Sequence, residues 1–472
     1  MAKTGKKREK KNTEAAKMSR DDPESQKLLS KETEEGDEAA SSTQKKPWFY
    51  LPSADPRENE KKNAEGTDKE EKDEISSCQT FFNICNANLG TGVLAMPFVI
   101  RLAGLWGVVI IIFIGFLGNY TGKILIDCLY ETDGAGKRKR VRQTYPEIGE
   151  AFHSTYGACM VHVANCFDQF SHCALFLIMI GMVMKHAFPV ISFSESDWTL
   201  IIGLLILPAI FIRKMTQLAW LGTLTAWTAI VISIVVVVYS FTKCSSWTTT
   251  TPPFNIHTVP IAIGVVMVSY SSAAYLPKME TAMVHPEEYN SIMNFSYSAV
   301  TFWKFFCGII VYMTFTDATD QIVALNLPRG PFRGVLCVAV VVLALFFFTV
   351  PAFTIFDIVE NHLRIPWLAF NCTNNRRVVV SGYLLRLLLM LFTLVLAVCV
   401  PHFSLLMAFV GCSTGMVLVL IFPCMFHLKL RWPALRSFDV AAELFVIVFA
   451  VIGGTLGIIY SSLALYTVYN ET

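Results

Sequence analysis

Residues 88–97 of the chain read Asn-Leu-Gly-Thr-Gly-Val-Leu-Ala-Met-Pro and lie inside its first long apolar segment. Two glycines with a threonine between them, followed by Pro97, are poor material for a continuous helix. In lipid, an interrupted helix is tolerated only where protein buries it or where it lines a cavity. The backbone N–H groups at the start of the next half-helix then favour an anion.

A second interruption is predicted in the sixth apolar segment, between Gly264 and Pro277. One interrupted segment at the start of each half of a membrane bundle is typical of secondary transporters. The pattern predicts two five-span units, the second inverted, and one additional span. It also predicts that the chain carries a small solute with an anionic group.

The candidate substrate-binding residues are the small and polar residues of the two breaks. They are Asn88, Gly90, Thr91, Gly92, Tyr270, Ser271 and Ser272. The first break is expected to hold a carboxylate on its N–H groups, and the second an ammonium on its hydroxyls and carbonyls. Two alternatives stay open: the glycines can serve close helix packing, and the serine hydroxyls can bond to their own helix.

Eleven apolar segments are long enough to be transmembrane helices, which predicts an all-α integral membrane protein. They are expected at 78–98, 104–130, 158–187, 198–213, 216–242, 259–279, 293–316, 333–359, 378–400, 402–427 and 438–466. Residues 1–74 hold 17 Lys/Arg and 19 Asp/Glu, about half of all charged residues. This composition predicts a disordered cytosolic tail at 1–74, joined to a transmembrane domain at 75–472.

Basic residues in the connections indicate the orientation. With the tail in the cytosol, thirteen Lys and Arg residues lie on the cytosolic side and five on the other. This predicts a cytosolic N-terminus and, with an odd number of spans, a lumenal C-terminus. Within the tail, Glu24, Leu28 and Leu29 fit an acidic dileucine sorting signal, which predicts adaptor proteins as partners. A chance pair of leucines is the alternative.

Ionisable residues inside predicted spans are functional candidates because an unpaired charge is costly to bury in lipid. Asp168 in the third span, Glu280 at the end of the sixth and Lys304 in the seventh are the candidate proton-coupling residues. A carboxylate that alternates between wet and dry surroundings can bind and release a proton. The alternatives are a static Asp168–Lys304 ion pair and a Glu280 that meets cytosolic water.

Several classes of protein are disfavoured by what the sequence lacks. It contains no P-loop, no H-E-x-x-H and no Cys/His metal-ligand spacing. The net charge of +2 comes without a dense basic face. We therefore predict a protein that is not an enzyme, uses no cofactor or metal, and has no nucleic-acid partner.

The stretch from Leu89 to Pro97 resembles the signature of the amino acid/auxin permease family. Further blocks resemble the same family, and the resemblance covers about residues 78–466. These blocks lie at 120–131, 140–145, 260–264, 400–407 and 426–430. The resemblance implies a LeuT-like fold of eleven spans, with a carboxylate kept at Asp168.

The resemblance also implies exchange of lumenal protons for a small neutral amino acid across an acidic, synaptic-type vesicle membrane. Members that carry the inhibitory amino acids GABA and glycine are the most similar in the quoted blocks. The chain departs from them at residues 90–92 and around residues 273, 274 and 278, which lie in the expected site. A carrier of another neutral amino acid, at a vacuole, lysosome or plasma membrane, and an amino-acid-sensing membrane protein are the alternatives.

Overall fold

The computed structural model describes residues 75–132, 137–208, 219–248, 252–359, 376–400 and 402–471. The tail at 1–74, with its dileucine sequence, lies outside the described residues. The boundary predicted between tail and membrane domain therefore stays a prediction.

The described chain is mainly helical, because apolar segments in lipid must satisfy their backbone hydrogen bonds internally. The helices are α1 Ser77–Leu89, α2 Met96–Ala103, α3 Leu105–Asp127, α4 Tyr145–Phe152, α5 Gly157–Ala187, α6 Glu195–Ile206, α7 Ala219–Thr242, α8 Val259–Val268, α9 Leu276–Thr281, α10 Tyr289–Phe315, α11 Pro331–Asp357, α12 Arg376–Cys399, α13 Phe403–Val410, α14 Phe422–Arg431 and α15 Ser437–Glu471.

Seven helices in the described residues are long and apolar enough to cross a membrane, and an eighth span results if α1 and the bent stretch after it count together. Two shorter apolar helices lie at Trp227–Thr242 and Val259–Val268. A multi-span helical membrane protein is thus confirmed. The count of eleven spans and their inverted repeat stay predictions.

The first apolar segment is broken where the sequence predicts it. Helix α1 ends at Leu89, and Gly90 adopts a φ of 36° that only glycine accepts without strain. A 3₁₀ helix, Thr91–Ala95, then leads into α2, which has Pro97 in its first turn. The two parts are bent by 41°. The second part runs to Ala103, beyond the predicted end at residue 98.

The sixth apolar segment is also broken, within the stretch from Gly264 to Pro277 where the sequence predicts it. Helix α8 continues through Gly264 to Val268, residues 269–275 form turns and extended chain, and α9 follows with Pro277 in its first turn. Gly264 packs closely against the backbone of α13, where a Cβ would overlap the Ala408 carbonyl. Gly264 therefore serves helix packing, and the break itself lies at the polar residues after Val268.

The expectation of an all-α chain is wrong in one connection. Between α3 and α5, β1 (Tyr130–Thr132) pairs antiparallel with β2 (Arg138–Arg140), with Tyr130 opposite Arg140. The short helix α4 follows this hairpin. The hairpin lies outside the apolar helices, where water can satisfy backbone groups that a strand leaves unpaired.

The tenth apolar segment contains an uncommon element, a π-helix at Gly411–Ile421 between α13 and α14. Such wider turns occur mostly at functional positions in helices. Helix α8 packs against α2 and the 3₁₀ helix as well as against the π-helix, and α5 packs against α11 and the π-helix. The two broken segments therefore lie side by side in the interior of the bundle.

Candidate functional site

The two breaks contact each other at Gly92 and Ser269. A Cβ added to Gly92 would overlap the Cβ of Ser269 and lie 3.0 Å from its Cα. Any side chain at residue 92 must therefore displace the second break. The space directly between Gly92 and Ser269 is filled by protein, so a ligand that reaches both breaks binds beside this contact.

The N-terminus of the 3₁₀ helix after Gly90 has no side-chain cap. Uncapped N–H groups at a helix start favour a carboxylate. A Cβ at Gly90 would lie 3.9 Å from the ring of Phe347, which in turn stacks on Phe176 at 6.0 Å between ring centroids. The first break thus offers a polar backbone next to an aromatic wall. The side chain of Thr91 is outside the description.

Asn88 and Ser272 are linked through one residue of α10. The Ser272 hydroxyl lies 3.0 Å from that of Tyr297, and the side chain of Asn88 lies next to Tyr297. Asn88 also donates its Nδ2 to the carbonyl of Ile84 at 2.9 Å. All three polar side chains are buried. Tyr297 therefore joins the two breaks, a role that the sequence did not suggest.

The three hydroxyl residues predicted in the second break do not converge on one point. Tyr270 places its hydroxyl 2.8 Å from that of Thr301 on α10, and Ser272 bonds to Tyr297. Ser271 alone turns towards Asp168, with its Oγ donating to Oδ2 at 3.4 Å. Ser271 is also partly exposed, whereas Tyr270 and Ser272 are fully buried.

Asp168 lies where α5, the second break and the π-helix meet. Its carboxylate is 1% exposed. Oδ1 accepts from the Thr414 hydroxyl at 2.7 Å, and Oδ2 accepts from Ser271 and from Gln169 Nε2 at 3.2 Å. His172, one turn further on, places Nδ1 3.4 Å from Oδ2. The same Nδ1 lies 2.9 Å from the backbone carbonyl of Asp168, so the carboxylate is held mainly by neutral donors with the imidazole beside them.

Lys304 does not pair with Asp168. Its Nζ donates to the carbonyl of Ser269 at 2.7 Å and to the Ser269 hydroxyl at 2.9 Å, and it lies 3.4 Å from the centre of the Tyr270 ring. A cation there complements the negative C-terminal end of α8. The alternative of a static Asp168–Lys304 ion pair is wrong.

Glu280 lies away from the other two candidate proton-coupling residues, at the end of α9 under the hairpin. It is 1% exposed, so the alternative that it meets cytosolic water is wrong. Arg140 Nη2 lies 2.6 Å from Oε2, and the Tyr130 hydroxyl donates to Oε1. Burial first, and then the bond to Glu280, raise the pKa of Tyr130 to about 12, so it remains a donor at neutral pH.

One cavity among the described residues lies at the opposite end of the bundle from Glu280. It has a volume of about 480 Å³ and is bounded by the end of α5, the start of α6, the connection after α10 and residue His402. Its charged lining includes Lys185, Glu195 and Asp320. Part of this lining pairs internally, because Lys185 Nζ lies 3.1 Å from Glu195.

Comparison with known proteins identifies the family. The profile of the family described as "Transmembrane amino acid transporter protein" matches residues 73–467. The chain belongs to this transmembrane amino acid transporter family. The family resemblance found in the sequence is thereby confirmed, and membership indicates a membrane transporter of amino acids.

Two curated relatives in the family are similar over most of their length. The chain is 32% identical to the vesicular inhibitory amino acid transporter of Xenopus tropicalis over 400 residues, which cover 83% of this chain and 77% of the relative. It is 27% identical to the vesicular GABA transporter of Caenorhabditis elegans over 408 residues, which cover 85% and 82%.

A solved structure supports the LeuT-like fold of this family member. The chain superposes on a Na⁺-coupled sialic acid symporter in a substrate-bound, outward-open state with a TM-score of 0.50 and 10% identity, covering 83% of this chain and 90% of the other. At this identity the likeness concerns the fold alone.

Proposed function

We propose that this transporter exchanges protons for a small neutral amino acid, GABA or glycine, and loads it into an acidic vesicle. Similarity to the vesicular inhibitory amino acid transporter and the vesicular GABA transporter supports the substrate and the vesicle membrane. The contact between the breaks at Gly92 and Ser269, with Asp168 bonded to Ser271 of the second break, is the observation that carries the proposal.

The substrate binds beside that contact. Its carboxylate accepts from the uncapped N–H groups after Gly90, and its ammonium meets Ser271 and Asp168. The aromatic wall of Phe176 and Phe347 packs on the methylene groups between the two ends. Tyr270 and Ser272 shape the site through bonds to α10, and Asn88 lies beside them. We keep Thr91 as a candidate contact of the substrate on the sequence alone.

The proton binds at Asp168. Its hydrogen-bond donors Thr414, Ser271 and Gln169 are uncharged, and the neighbouring imidazole of His172 is the only potentially cationic group beside it that the described residues show. When the site opens to an acidic lumen, protonation removes the charge that attracts the ammonium, and the substrate leaves. When it opens to the cytosol, the proton leaves and the ammonium can bind again. Lys304 supports the second break, and Glu280 holds the hairpin.

The test is uptake by the purified, full-length protein in proteoliposomes with an acidic interior. Labelled GABA, glycine and alanine are supplied outside, and a protonophore provides the control. We expect accumulation of GABA or glycine that collapses with the proton gradient. Absence of uptake for all three substrates under either gradient direction would overturn the proposal.

Two other outcomes correspond to the remaining functions. Stronger uptake of alanine than of GABA and glycine indicates a carrier of another neutral amino acid. Binding of a labelled amino acid without flux indicates a sensor. One preparation distinguishes these two functions, because binding and uptake are both measured on the same batch of protein.

Sorting through the tail is a separate part of the proposal. Glu24, Leu28 and Leu29 are proposed to recruit adaptor proteins from the cytosol, which requires a cytosolic N-terminus and places the C-terminus in the lumen. Replacing Leu28 and Leu29 by Ala is expected to move the protein from vesicles to the cell surface. An unchanged distribution would contradict this role.

A further inference from the structure

A buried polar cluster that the transport site does not use lies between α3, α14 and α15. Glu443 of α15 is 0% exposed. Its Oε1 lies 2.7 Å from Nδ1 of His427 on α14 and 3.5 Å from the hydroxyl of Tyr120 on α3. Its other oxygen, Oε2, is buried and has no hydrogen-bond partner among the described residues.

The position of Glu443 is unusual for the helix that carries it. Helix α15 exposes large apolar side chains on either side of this residue, among them Phe438, Leu444 and Phe445. Glu443 instead faces inward. A carboxyl group in a membrane helix is costly to bury and for that reason points to a function. The last span of the chain therefore contributes more than lipid-facing surface.

Within the part of the chain that the structure describes, Glu443 has no cationic side chain in direct contact other than His427. Among the described residues, no Lys or Arg lies within ion-pair distance of its carboxylate. The titratable groups that face this cluster come from three helices. They are Tyr120 and Cys128 from α3 and its end, Cys424 and His427 from α14, and Asp439 from α15. The fixed charges of Arg142 and Arg431 act on Cys128 at the edge of the cluster.

His427 connects the buried carboxylate to the surface. Its side chain is 11% exposed, and α14 ends four residues later at Arg431. With Nδ1 bonded to Glu443, the second ring nitrogen remains to exchange a proton with water. The unpartnered Oε2 leaves one carboxylate oxygen without a donor among the described residues.

We propose that His427 and Glu443 form a proton-binding site separate from Asp168, in which the imidazole passes a proton between water and the buried carboxyl group. A proton from water adds to His427 Nε2, and the proton on Nδ1 moves to Glu443. The products are a neutral imidazole and a neutral carboxyl group, and the reverse steps return the proton to water. The site does not depend on which substrate is transported.

Infrared difference spectroscopy of the purified, full-length protein during acidification tests this site directly. A protonated carboxyl group absorbs at a different frequency from a carboxylate. We expect the wild type to gain a protonated-carboxyl band that Glu443→Gln lacks, and to bind one more proton than that variant. Asp439→Asn, one helical turn away on α15, is the matched control and retains the band. An identical band and proton count in wild type and Glu443→Gln would overturn the proposal.

His427→Gln tests the transfer of the proton through the imidazole. This test does not depend on whether the Glu443→Gln variant folds. Glutamine keeps a hydrogen-bond donor but cannot carry a proton. After a rapid pH jump, we expect the carboxyl band of His427→Gln to rise roughly tenfold or more slowly than that of the wild type. A wild-type rate would overturn the relay. Since neither experiment contains substrate, failure of amino acid uptake leaves both results unaffected.

Discussion

Asp168 and Glu280 are two carboxylates that are equally buried, each 1% exposed, but differently neutralised. Asp168 is surrounded by hydroxyls, an amide and the imidazole of His172. Glu280 faces the guanidinium of Arg140 at 2.6 Å. An arginine stays charged at any physiological pH, so Glu280 has a permanent cationic partner that fastens the hairpin to α9. Asp168 has no such partner among the described residues, and this difference is why we propose Asp168 rather than Glu280 as the proton site.

The largest expected effect is on the Glu280 side of this comparison. Arg140→Ala leaves a fully buried carboxylate without its cation, which is expected to destabilise the protein by about 3–5 kcal/mol. Thermal unfolding of the purified protein measures this loss. Arg138→Ala is the control, because its side chain is 47% exposed and its partner Asp127 38% exposed. The control is expected to cost at most about 1 kcal/mol. Equal stability of the two variants would show that the Arg140–Glu280 pair stabilises the protein no more than an exposed ion pair does.

Asp168→Asn addresses the other side of the comparison. Asparagine can still accept the Thr414 hydrogen bond but cannot bind a proton, so proton-driven accumulation is expected to fall by about 5- to 150-fold, the usual range for loss of coupling between two sites. Substrate exchange without a gradient is expected to weaken as well, because asparagine lacks the charge that attracts the ammonium, but the exchange that remains no longer depends on pH. The accumulation ratio in proteoliposomes, with and without a pH gradient, measures the change. Glu280→Gln is the control. Accumulation by the folded fraction of this variant is expected to depend on the pH gradient as in the wild type. Normal accumulation by Asp168→Asn would show that the coupled proton binds at another residue.

The packing of the two breaks sets where Ser271 lies relative to Asp168. Gly92→Ala forces a methyl group into Ser269, and overpacking of this kind costs about 1–3 kcal/mol. Gly334→Ala in α11 is the matched control, since a Cβ there has nothing within 4 Å. It is expected to be neutral or to stabilise by up to about 1 kcal/mol. The difference in melting temperature between the two alanine variants is the measurement. Equal values would show that the breaks are not in close contact.

The smallest expected effect is at a single hydrogen bond to Asp168. Thr414→Val removes one neutral donor, which is worth roughly 0.5–1.5 kcal/mol and so changes proton-driven accumulation by a few-fold to about tenfold. Thr414→Ser keeps the hydroxyl and is expected to behave as the wild type. The accumulation ratio of Thr414→Val should lie between those of the wild type and Asp168→Asn. If Thr414→Val gives the same accumulation ratio as Thr414→Ser, the Thr414 hydroxyl does not contribute to proton coupling.

Features that depend on the local chain could be predicted from the sequence. The break after Leu89 follows from Gly90 and Pro97, which act on their own φ angle and on their own hydrogen bond. Pro277 opens α9 for the same reason. The second break lies inside the predicted stretch from Gly264 to Pro277, but Gly264 itself serves close helix packing. Glycine permits both roles, and its sequence signal is the same in both.

Partners of the buried polar groups could not be predicted in this way. Thr414 lies in a π-helix that has no recognisable sequence signal, and it reaches Asp168 across 246 residues. Tyr297 looked like an ordinary aromatic residue of a membrane helix. Arg140 belongs to a basic loop whose residues were counted only for orientation, yet it neutralises Glu280.

The sequence by itself determined that this protein is a bundle of apolar helices, interrupted at two places and carrying a few buried ionisable groups. It did so because helix breaking and transfer into lipid depend on each residue and its near neighbours. The tertiary structure alone decided which of those groups meets a fixed cation, which meets neutral donors and which meets a histidine. Electrostatic interactions of that kind act over a few ångströms in space and are indifferent to distance along the chain, so only the packed fold specifies them.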